Sequence, residues 1–356
     1  MTMRRLINLK RVEARRIYLT YFVVIIAYII CQTMSSTKIL SSSMRGMLVP
    51  ICAYMVMAVS LNLVVGISGE LSLGHAGFMS IGAFSGVATA ILMQNLIPFA
   101  PLRLAIAMII AAVFAAASGF LIGIPVLRLK GDYLAIVTLA FGEIIKSILN
   151  NFYLGVDSGG LQFSMLTDTT RLLKGGRLII RGPMGISGIQ KIATFPVGFI
   201  LVMISLMIVF NLVNSRSGRA FMAIRDDRIA AESIGLDITK YKMMAFVTSA
   251  ALAGAAGALF AMNYSTIVAN KFDFNTSILI LVFVVLGGQG NMLGSIIAAA
   301  VLTILPEKLR GFSDYRMLLY AVILIVMMLA TNNAEIKDFL RRLNPFMHKE
   351  KEEEAA

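Results

Sequence analysis

Four side chains that can carry charge or exchange protons lie within long apolar segments or at their edges. Glu143 and Lys146 are three residues apart in the apolar run 133–153, and Glu70 and His75 lie in a glycine-rich stretch. A charge in hydrocarbon costs roughly 3 kcal/mol or more, so each needs a partner or a water-filled cavity. Glu143 and Lys146 share a helix face and can pair with each other. We interpret them as a structural intramembrane pair, with a role in a substrate path as the alternative.

Two glycine-rich breaks interrupt the apolar runs, at residues 66–77 and 286–294; we call them the first break and the second break. Unwound backbone in a membrane is tolerated where its polar groups face protein or a water-lined path, and helix N-termini there favour anionic groups. The breaks predict a translocation path formed by Gly69, Glu70, Ser72, Gly74, His75, Gly77, Gly287, Gly288, Gln289 and Gly290. The alternative is close helix packing through small residues, as also at Gly254 and Gly257. We interpret His75 as a hydrogen-bonded packing residue rather than a proton relay, because no chain of acids accompanies it.

The elements that must position these groups are membrane-spanning helices. Hydrophobic residues make up 58% of the 356 positions and charged residues 14%, which is more apolar and less charged than soluble domains are. A bilayer-spanning helix takes about 20 apolar residues, so the chain can fill about ten spans and has no room for a water-soluble catalytic domain. We therefore predict an all-α, polytopic transmembrane bundle in the lipid bilayer. The ten apolar runs are 17–34, 46–66, 73–93, 103–127, 133–153, 195–213, 243–264, 276–288, 291–307 and 315–331.

Positive charge indicates the orientation of these spans. Lys and Arg between spans favour the cytoplasmic side, so we interpret the net charge of +13 as a topology signal and not as a nucleic-acid surface. Ten spans place both termini in the cytoplasm, whereas nine spans would result if 276–307 were one broken helix. We predict a basic cytoplasmic N-terminus at 1–16, a transmembrane domain at 17–331 and a charged cytoplasmic tail at 332–356. The first span is expected to be a retained anchor, because no small-x-small cleavage site closes it.

Two connections between spans are long enough to fold. Residues 154–192, on the predicted extracytoplasmic side, contain the glycines typical of an ordered loop. In residues 214–242, on the predicted cytoplasmic side, apolar residues recur at helical spacing between charges. We expect two short amphipathic helices there, the second capped by Asp226 or Asp227 and terminated by Gly235. Such a loop exceeds what a turn requires, so it predicts a docking surface for a partner.

The sequence also limits the chemistry that this chain can perform. No Gly-Lys dipeptide occurs, so the phosphate-binding loop of nucleotide hydrolases cannot form. With only His75 and His348, a histidine-based metal site is excluded. We therefore expect no catalytic residues, no metal, no cofactor bound by this chain, and transport driven by a separate ATPase. The alternative is an ion-coupled secondary transporter that uses Glu70, His75, Glu143 and Lys146. An intramembrane enzyme with Glu70 and His75 as acid and base lacks a nucleophile placed by any motif.

Four motifs occur in a fixed order between about residues 48 and 330. They are Gly69-Glu-Leu-Ser-Leu-Gly-His-Ala-Gly-Phe78, Leu129-Lys-Gly-Asp-Tyr-Leu-Ala-Ile-Val-Thr-Leu-Ala-Phe-Gly-Glu143, Ser217-Gly-Arg-Ala-Phe-Met-Ala-Ile-Arg-Asp-Asp-Arg-Ile-Ala-Ala-Glu-Ser-Ile-Gly235 and Val284-Val-Leu-Gly-Gly-Gln-Gly290. Together they resemble the permeases of branched-chain amino acid ABC importers, in particular the M-type subunit of the LivM family. The basic residues 1–16 and the acidic end of the tail fall outside the resemblance.

The resemblance implies an importer permease of type II-like fold in the cytoplasmic membrane of a bacterium, moving leucine, isoleucine and valine. Its partners would be a second homologous permease, two ABC ATPase subunits that use ATP, and an extracytoplasmic substrate-binding protein. The role of coupling to the ATPase carries over to Gly218, Arg219, Ala223, Arg225, Asp226, Ala230, Ala231, Glu232 and Gly235. In that role, small Ala230 and Ala231 would allow close docking. The importer-wide pattern Glu-Ala-Ala followed by glycine is present only as Ala230-Ala231-Glu232 with Gly235, which leaves the docking register open. Because urea importers use similar permeases, urea or another amino acid stays an alternative substrate.

Overall fold

The computed structural model describes most of the chain. The described residues are 3–37, 41–129, 131–157, 160–165 and 177–309, with a few isolated positions between 318 and 325. Residues up to Ala300 form one compact unit, and the chain from Val301 onward forms a second. The predicted tail, 332–356, lies outside the described residues, and so does the tenth apolar run, 315–331, apart from those isolated positions.

Helices dominate the described residues, as the composition predicts. In chain order they are α1 (Met3–Ser36), α2 (Ser42–Asn62), α3 (His75–Leu92), α4 (Ala100–Val126), α5 (Asp132–Asn150), α6 (Phe195–Val213), α7 (Arg216–Asp226), α8 (Arg228–Ser233), α9 (Ile238–Ala261), α10 (Phe274–Gly287) and α11 (Met292–Lys308). A π-helical turn, Leu63–Ile67, continues α2, and short 3-10 turns occupy Gly182–Met184 and Ala269–Lys271. α1 runs from Met3 through the predicted N-terminal segment 1–16 into the first span without a break. That this segment lies in the cytoplasm stays a prediction.

Within the described residues, seven helical stretches are long and apolar enough to cross a bilayer. They are Ile17–Ser36, Ser42–Ile67, His75–Leu92, Ala100–Val126, Phe195–Val213, Ile238–Ala261 and Ala269–Gly287. These match the first four predicted runs and the sixth, seventh and eighth. The fifth and ninth runs are also helical, as α5 and α11, but are not among the seven. The polytopic all-α bundle is confirmed, and the total of ten spans stays a prediction.

The centre of the bundle is formed by α2, α3 and α9, which the rest of the chain largely encloses, whereas α1 is mostly open to its surroundings. α9 packs most extensively against α4 and α3. Glycines permit this approach: a Cβ at Gly82 would overlap the backbone of Gly254, and one at Gly257 would overlap the carbonyl of Met79. Since lipid provides no hydrophobic drive for helix association, close packing through small residues supplies the contact. The packing interpretation of Gly254 and Gly257 is therefore confirmed.

The described parts of the long loop, residues 154–157, 160–165 and 177–192, contain β-strands, which the glycine pattern did not predict. β1 (Phe152–Asp157) pairs antiparallel with β2 (Gly160–Met165) on one side and with β3 (Arg177–Arg181) on the other. A second, two-stranded sheet joins β4 (Ile186–Ser187) to β5 (Thr266–Ile267), in the connection between α9 and α10. The long loop and the connection between α9 and α10 thus pair with each other.

The central helix α9 separates two ends of the bundle. Its first turn follows α8 directly, and its last turn leads into β5. Because 24 helical residues span about 36 Å, the two ends lie about a membrane thickness apart. We call the end that carries α7 and α8 the loop end, and the end that carries β4 and β5 the sheet end.

Candidate functional site

The predicted coupling loop folds as two short helices, α7 and α8. The Ser215 hydroxyl accepts hydrogen bonds from the first turn of α7, and Asp227 accepts from the amides of Ile229 and Ala230 at 2.9 and 3.0 Å. After α8, Gly235 adopts a left-handed conformation with φ of +85°, and the amide of Leu236 bonds back to the carbonyl of Ala231, a glycine-terminated helix end. The expected caps are confirmed, with Asp227 as the second helix's N-cap. The loop ends earlier than predicted, because α9 begins at Ile238.

The nine predicted coupling residues divide by exposure. Ala223 is half-buried and Gly218 and Ala231 are buried, whereas the others are exposed: Arg219, Arg225, Asp226, Ala230, Glu232 and Gly235. Ala231 packs in a small apolar cluster with Ile224 and Ile238. The expectation that both alanines face a docking partner is therefore wrong for Ala231, because one face of α8 is needed to hold it on α9.

Two exposed isoleucines on this loop were not predicted as part of the coupling surface. Ile229 is 81% exposed and Ile234 is 76% exposed, on either side of the exposed Ala230. A six-residue helix is too short for the spacing of its apolar residues to separate a buried face from an exposed one. They add an apolar patch to the charged surface of the loop.

Arg225 connects the loop to the first break. Its Nη1 donates a hydrogen bond of 3.0 Å to the carbonyl oxygen of Gly66, and its side-chain stem packs against Gly69. Its other guanidinium nitrogens donate to one carboxylate oxygen of Asp226 at 2.9 and 3.1 Å. Gly66 lies in the π-helical turn where α2 loses its regular hydrogen bonding, and π-turns often mark functional sites. One coupling residue therefore contacts the predicted path directly.

The first break also contacts the second, although they are far apart in sequence. A Cβ at Gly66 would overlap the backbone nitrogen of Gly290, so the two glycines pack backbone to backbone. The fully buried Asn62 accepts from the Gly290 amide at 2.8 Å and donates to the Ser295 hydroxyl at 2.9 Å. Asn62 and Ser295 were missed. The Asn62 side-chain amide lies inside an apolar run, and such a group needs a hydrogen-bond partner in the membrane. That requirement could have identified Asn62 from the sequence.

Glu70 has a partner that the sequence reasoning did not identify. It forms an ion pair with Lys242, the fifth residue of α9, and the side chains of Glu70 and Lys242 are only 12% and 8% exposed. The predicted loop 214–242 includes Lys242, and the sequence pattern indicates no partner for Glu70. The requirement that a charge within a span be paired was correct, but the partner lies 172 positions away.

His75 begins α3 and is buried. Its Nε2 lies 2.8 Å from the Ser60 hydroxyl, and the Ser249 hydroxyl donates to the Ser60 carbonyl at 2.6 Å. This agrees with the interpretation of His75 as a hydrogen-bonded packing residue. Glu70 and His75 have different partners, so they do not form the acid–base pair of the enzyme hypothesis.

Backbone amides at the start of α3 are already hydrogen-bonded by neighbouring helices. The Leu73 amide donates to the Thr138 hydroxyl at 3.0 Å, and the Ala76 amide donates to the Ser277 hydroxyl at 3.1 Å. Gly74 and Gly77 pack against the backbone of α5, as the packing alternative requires. Ser72 is buried, and its hydroxyl has no hydrogen-bond partner among the described residues. A role of these residues in a path stays a prediction.

The second break reverses the chain. Gly288 and Gly290 have φ of +89° and +82°, a conformation that favours glycine, and the exposed Gln289 lies between them. A Cβ at Gly287 would overlap the backbone of Ser295, whereas residues eight apart in one helix are separated by about 12 Å. α10 and α11 are therefore two helices, and the alternative of one long broken helix over 276–307 is wrong.

Glu143 and Lys146 form the expected ion pair on α5, with Lys146 less exposed than Glu143. Glu143 also borders a crevice between α3, α5 and α10, together with Gly77 and Asp273. The crevice encloses about 180 Å³, part of it open to the surroundings. Glu143 and Lys146 can thus form a structural ion pair and also lie beside a substrate path.

Polar contacts at the loop end join segments that are far apart in the sequence. The described residues hold no group of three or more His, Cys, Asp or Glu side chains that could bind a metal ion. Instead, polar contacts run from α7 through Arg225 to the first break, and from there through Asn62 to the second. A displacement of α7 would alter the hydrogen bond from Arg225 to Gly66, because that contact joins the loop to the first break.

Comparison with known proteins places these features in a family. A family model described as "Branched-chain amino acid transport system / permease component" matches residues 43–331. Two relatives are LivM permease proteins of high-affinity branched-chain amino acid transport systems. The protein from Escherichia coli (strain K12) is 40% identical to this chain over 235 residues, and the protein from Salmonella typhimurium (strain LT2) is 39% identical over the same length. Each alignment covers 62% of this chain and 54% of the relative. A probable LivM of Methanocaldococcus jannaschii is 27% identical over 214 residues, covering 57% of this chain and 56% of that protein.

The chain thus spans about half the length of these relatives. No solved structure matches it. The family match includes both breaks, the loop of α7 and α8, and the helices that position them. Because that match covers well over half of the sequence, the chain belongs to the family of branched-chain amino acid transport system permease components, which are multi-pass membrane proteins.

Proposed function

We propose that this chain is the permease subunit of an ATP-binding cassette importer that moves branched-chain amino acids (leucine, isoleucine and valine) across the cytoplasmic membrane of a bacterium. In this proposal both termini and the loop end lie in the cytoplasm, and the sheet end lies outside. The chain has no ATPase site of its own and binds no cofactor. Separate ATPase subunits use ATP and dock on α7 and α8.

The single observation that carries the proposal is the contact between Arg225 and Gly66. It joins an exposed loop, whose sequence resembles the ATPase-coupling loop of importers, to a break in a central helix. Two allosterically linked sites require a physical element that responds to both, and this hydrogen bond provides one. Movement of α7 imposed by an ATPase would thereby reach the predicted path.

The partners follow from the same surface and from the family. The exposed Ile229 and Ile234 beside charged Arg219 and Glu232 resemble an interface with an apolar core and a polar rim. We infer two ATPase subunits, a second homologous permease, and an extracytoplasmic binding protein that delivers substrate at the sheet end. The names of the LivM relatives support branched-chain amino acids as substrates; urea or another amino acid is the alternative.

An ion-coupled secondary transporter is less well supported by the contacts. Such a carrier needs a carboxylate that gains and loses a proton or ion during transport. Glu70 and Glu143 are both paired with lysines, so neither is a free buried carboxylate. Uptake by the isolated chain in vesicles, collapsed by an ionophore and insensitive to ATP, would nevertheless establish that class and contradict our proposal.

The proposal is tested by purifying the tagged chain in mild detergent, identifying the copurifying subunits, and reconstituting the assembly. We expect two ATPases and a second permease to copurify. In the double variant Arg225→Ala, Asp226→Ala, leucine uptake should fall by about tenfold or more while ATP hydrolysis continues. Arg128→Ala is the matched control, because Arg128 is an exposed arginine outside the loop. Full uptake in the double variant would contradict the assigned coupling role.

A further inference from the structure

A buried arginine at the sheet end has an incomplete set of partners. Arg103 lies in the first turn of α4 and is only 5% exposed. One guanidinium nitrogen, Nη2, donates to the Gln190 side-chain oxygen at 2.8 Å. Its Nε is buried without any hydrogen-bond partner among the described residues. Unsatisfied buried donors are uncommon, and each requires an explanation.

The charge of Arg103 is also uncompensated. Among the residues that the structure describes, the ion pairs at Glu70, Glu143 and Asp226 involve other cations, and none involves Arg103. Arginine keeps its charge in proteins, and a buried charge without a counter-charge is strongly destabilising. The chemistry therefore points to an anion that binds beside this guanidinium.

The space in front of Arg103 defines what kind of anion fits. Arg103 lines a narrow crevice between α3, the β4 region and the end of α9, and this crevice is open to the surroundings on one side. Its walls are largely aliphatic, from Val87, Ile91, Ile189 and Met262, and the Gln94 amide also borders it. An aliphatic wall beside a guanidinium suits a small molecule that has both an apolar group and a carboxylate.

We propose that Arg103 binds the carboxylate of a small aliphatic amino or carboxylic acid at the sheet end. The unpaired Nε and the charge recognise the carboxylate, and the aliphatic wall contacts the hydrocarbon part. That this ligand is the transported amino acid rests on the proposed function. At the sheet end, about a membrane thickness from the coupling loop, the site would receive substrate before it enters the bundle.

The direct test measures binding of isocaproate to the purified full chain in detergent by calorimetry, without any binding protein. Isocaproate has the side chain and carboxylate of leucine but no ammonium group; isoamylamine has the side chain and ammonium group but no carboxylate. We expect isocaproate to bind and isoamylamine not to bind. In Arg103→Gln the affinity for isocaproate should fall by about tenfold or more, because a charge-assisted hydrogen bond is lost.

Arg45→Gln is the matched control, because Arg45 is an exposed arginine at the same end of the bundle. The neighbouring Gly46 carbonyl accepts a hydrogen bond from Asn263, just beyond α9. The Arg45→Gln variant should bind isocaproate with the affinity of the unchanged chain. Arg103→Lys keeps the charge in case Arg103→Gln does not fold, and should bind isocaproate several-fold more weakly than the unchanged chain. Absence of isocaproate binding, or equal affinity in folded Arg103→Gln or Arg103→Lys, would overturn the inference. Arg103-dependent binding of inorganic phosphate or anionic phospholipid vesicles without binding of isocaproate would also overturn it.

A second measurement separates this inference from the proposed function. In the reconstituted assembly, Arg103→Gln should reduce leucine uptake by about tenfold or more. Leucine uptake equal to that of the unchanged assembly would overturn the site and leave the importer function intact. Arg103-dependent binding of isocaproate, in an assembly that takes up no branched-chain amino acid, would support the carboxylate site and contradict the importer proposal.

Discussion

The loop end and the sheet end of this bundle differ in the partners that their charged side chains have within the chain. At the loop end, Glu70 is paired with Lys242, and Arg225 is bonded to a backbone carbonyl and to Asp226. At the sheet end, Arg103 has only a neutral amide as its partner among the described residues. Glu70, Lys242 and Arg225 at the loop end thus have partners within the chain, as the proposed coupling role requires. Arg103 at the sheet end lacks a counter-charge among the described residues, which the proposed ligand would supply.

This difference predicts which substitutions should lower the stability of the fold and which should weaken ligand binding. The ion pair of Glu70 with Lys242 and the hydrogen bonds of Asn62 join distant segments at the loop end through side chains that are largely or fully buried. Loss of one partner therefore leaves a poorly hydrated group unpaired. Arg103 is already incompletely paired, so its replacement should affect ligand binding more than stability.

Lys242→Met should have the largest effect on stability. It leaves the Glu70 carboxylate buried without its counter-charge, which should cost about 3–5 kcal/mol and lower the unfolding temperature in detergent. Lys240→Met, at an exposed lysine two residues earlier, should have little effect. The double variant Glu70→Gln, Lys242→Met should recover most of the loss. If Lys242→Met unfolds at the same temperature as the unchanged chain, the pair is not buried as described.

Gly287→Ala should destabilise the loop end through overlap with the backbone of Ser295. Overpacking of this kind costs about 1–3 kcal/mol, and uptake by the reconstituted assembly should fall with it. The control is Gly46→Ala, because a Cβ at Gly46 has nothing within 4 Å. Thermal unfolding of both variants in detergent gives the comparison, and equal stabilities would exclude the close approach of α10 and α11.

Asn62→Ala compares the two ends directly. It removes one buried and one partly buried hydrogen bond and leaves the Gly290 amide without its side-chain partner, so we expect a loss of about 1–3 kcal/mol. Asn150→Ala removes one exposed side-chain hydrogen bond to Asn270 at the sheet end and should cost well under about 1 kcal/mol. Unfolding temperatures in the reverse order would contradict the distinction between the ends.

The double variant Ile229→Ser, Ile234→Ser should have the smallest effect on stability. Both side chains are exposed, so the free energy of unfolding should change by no more than about 0.5 kcal/mol. The amount of ATPase that copurifies should nevertheless fall, because the apolar part of the proposed interface is lost. Ser233→Ala on the same helix serves as control. Unchanged recovery of the ATPase would remove the two isoleucines from the docking surface.

Local signals in the sequence predicted much of the fold. The apolar runs predicted the helices, and the caps at Asp227 and Gly235 were predicted because capping depends on residues within a few positions. The sheet formed by β1, β2 and β3 was not predicted, since its strands are short and lie among glycines that indicate only turns. The burial of Ala231 was also missed, because a six-residue helix has too few positions to define its faces.

The partners of the polar groups could not be read from local pattern. Arg225 contacts Gly66 across 159 positions, and Asn62 contacts Gly290 across 228. The requirement for a partner follows from elementary electrostatics in an apolar medium and was visible at Glu70. Which lysine pairs with Glu70 depends on how α9 packs against the first break. The spacing of residues along the chain does not indicate that packing.

The amino-acid sequence alone therefore established a membrane-spanning helical bundle with two glycine breaks and a folded loop, because apolar length, helix caps and glycine act over short stretches of chain. The packed structure determined that both breaks meet beneath Arg225, that Glu70 pairs with Lys242, and that Arg103 is buried without a counter-charge. These are contacts between distant segments, and they depend on the way in which whole helices come together.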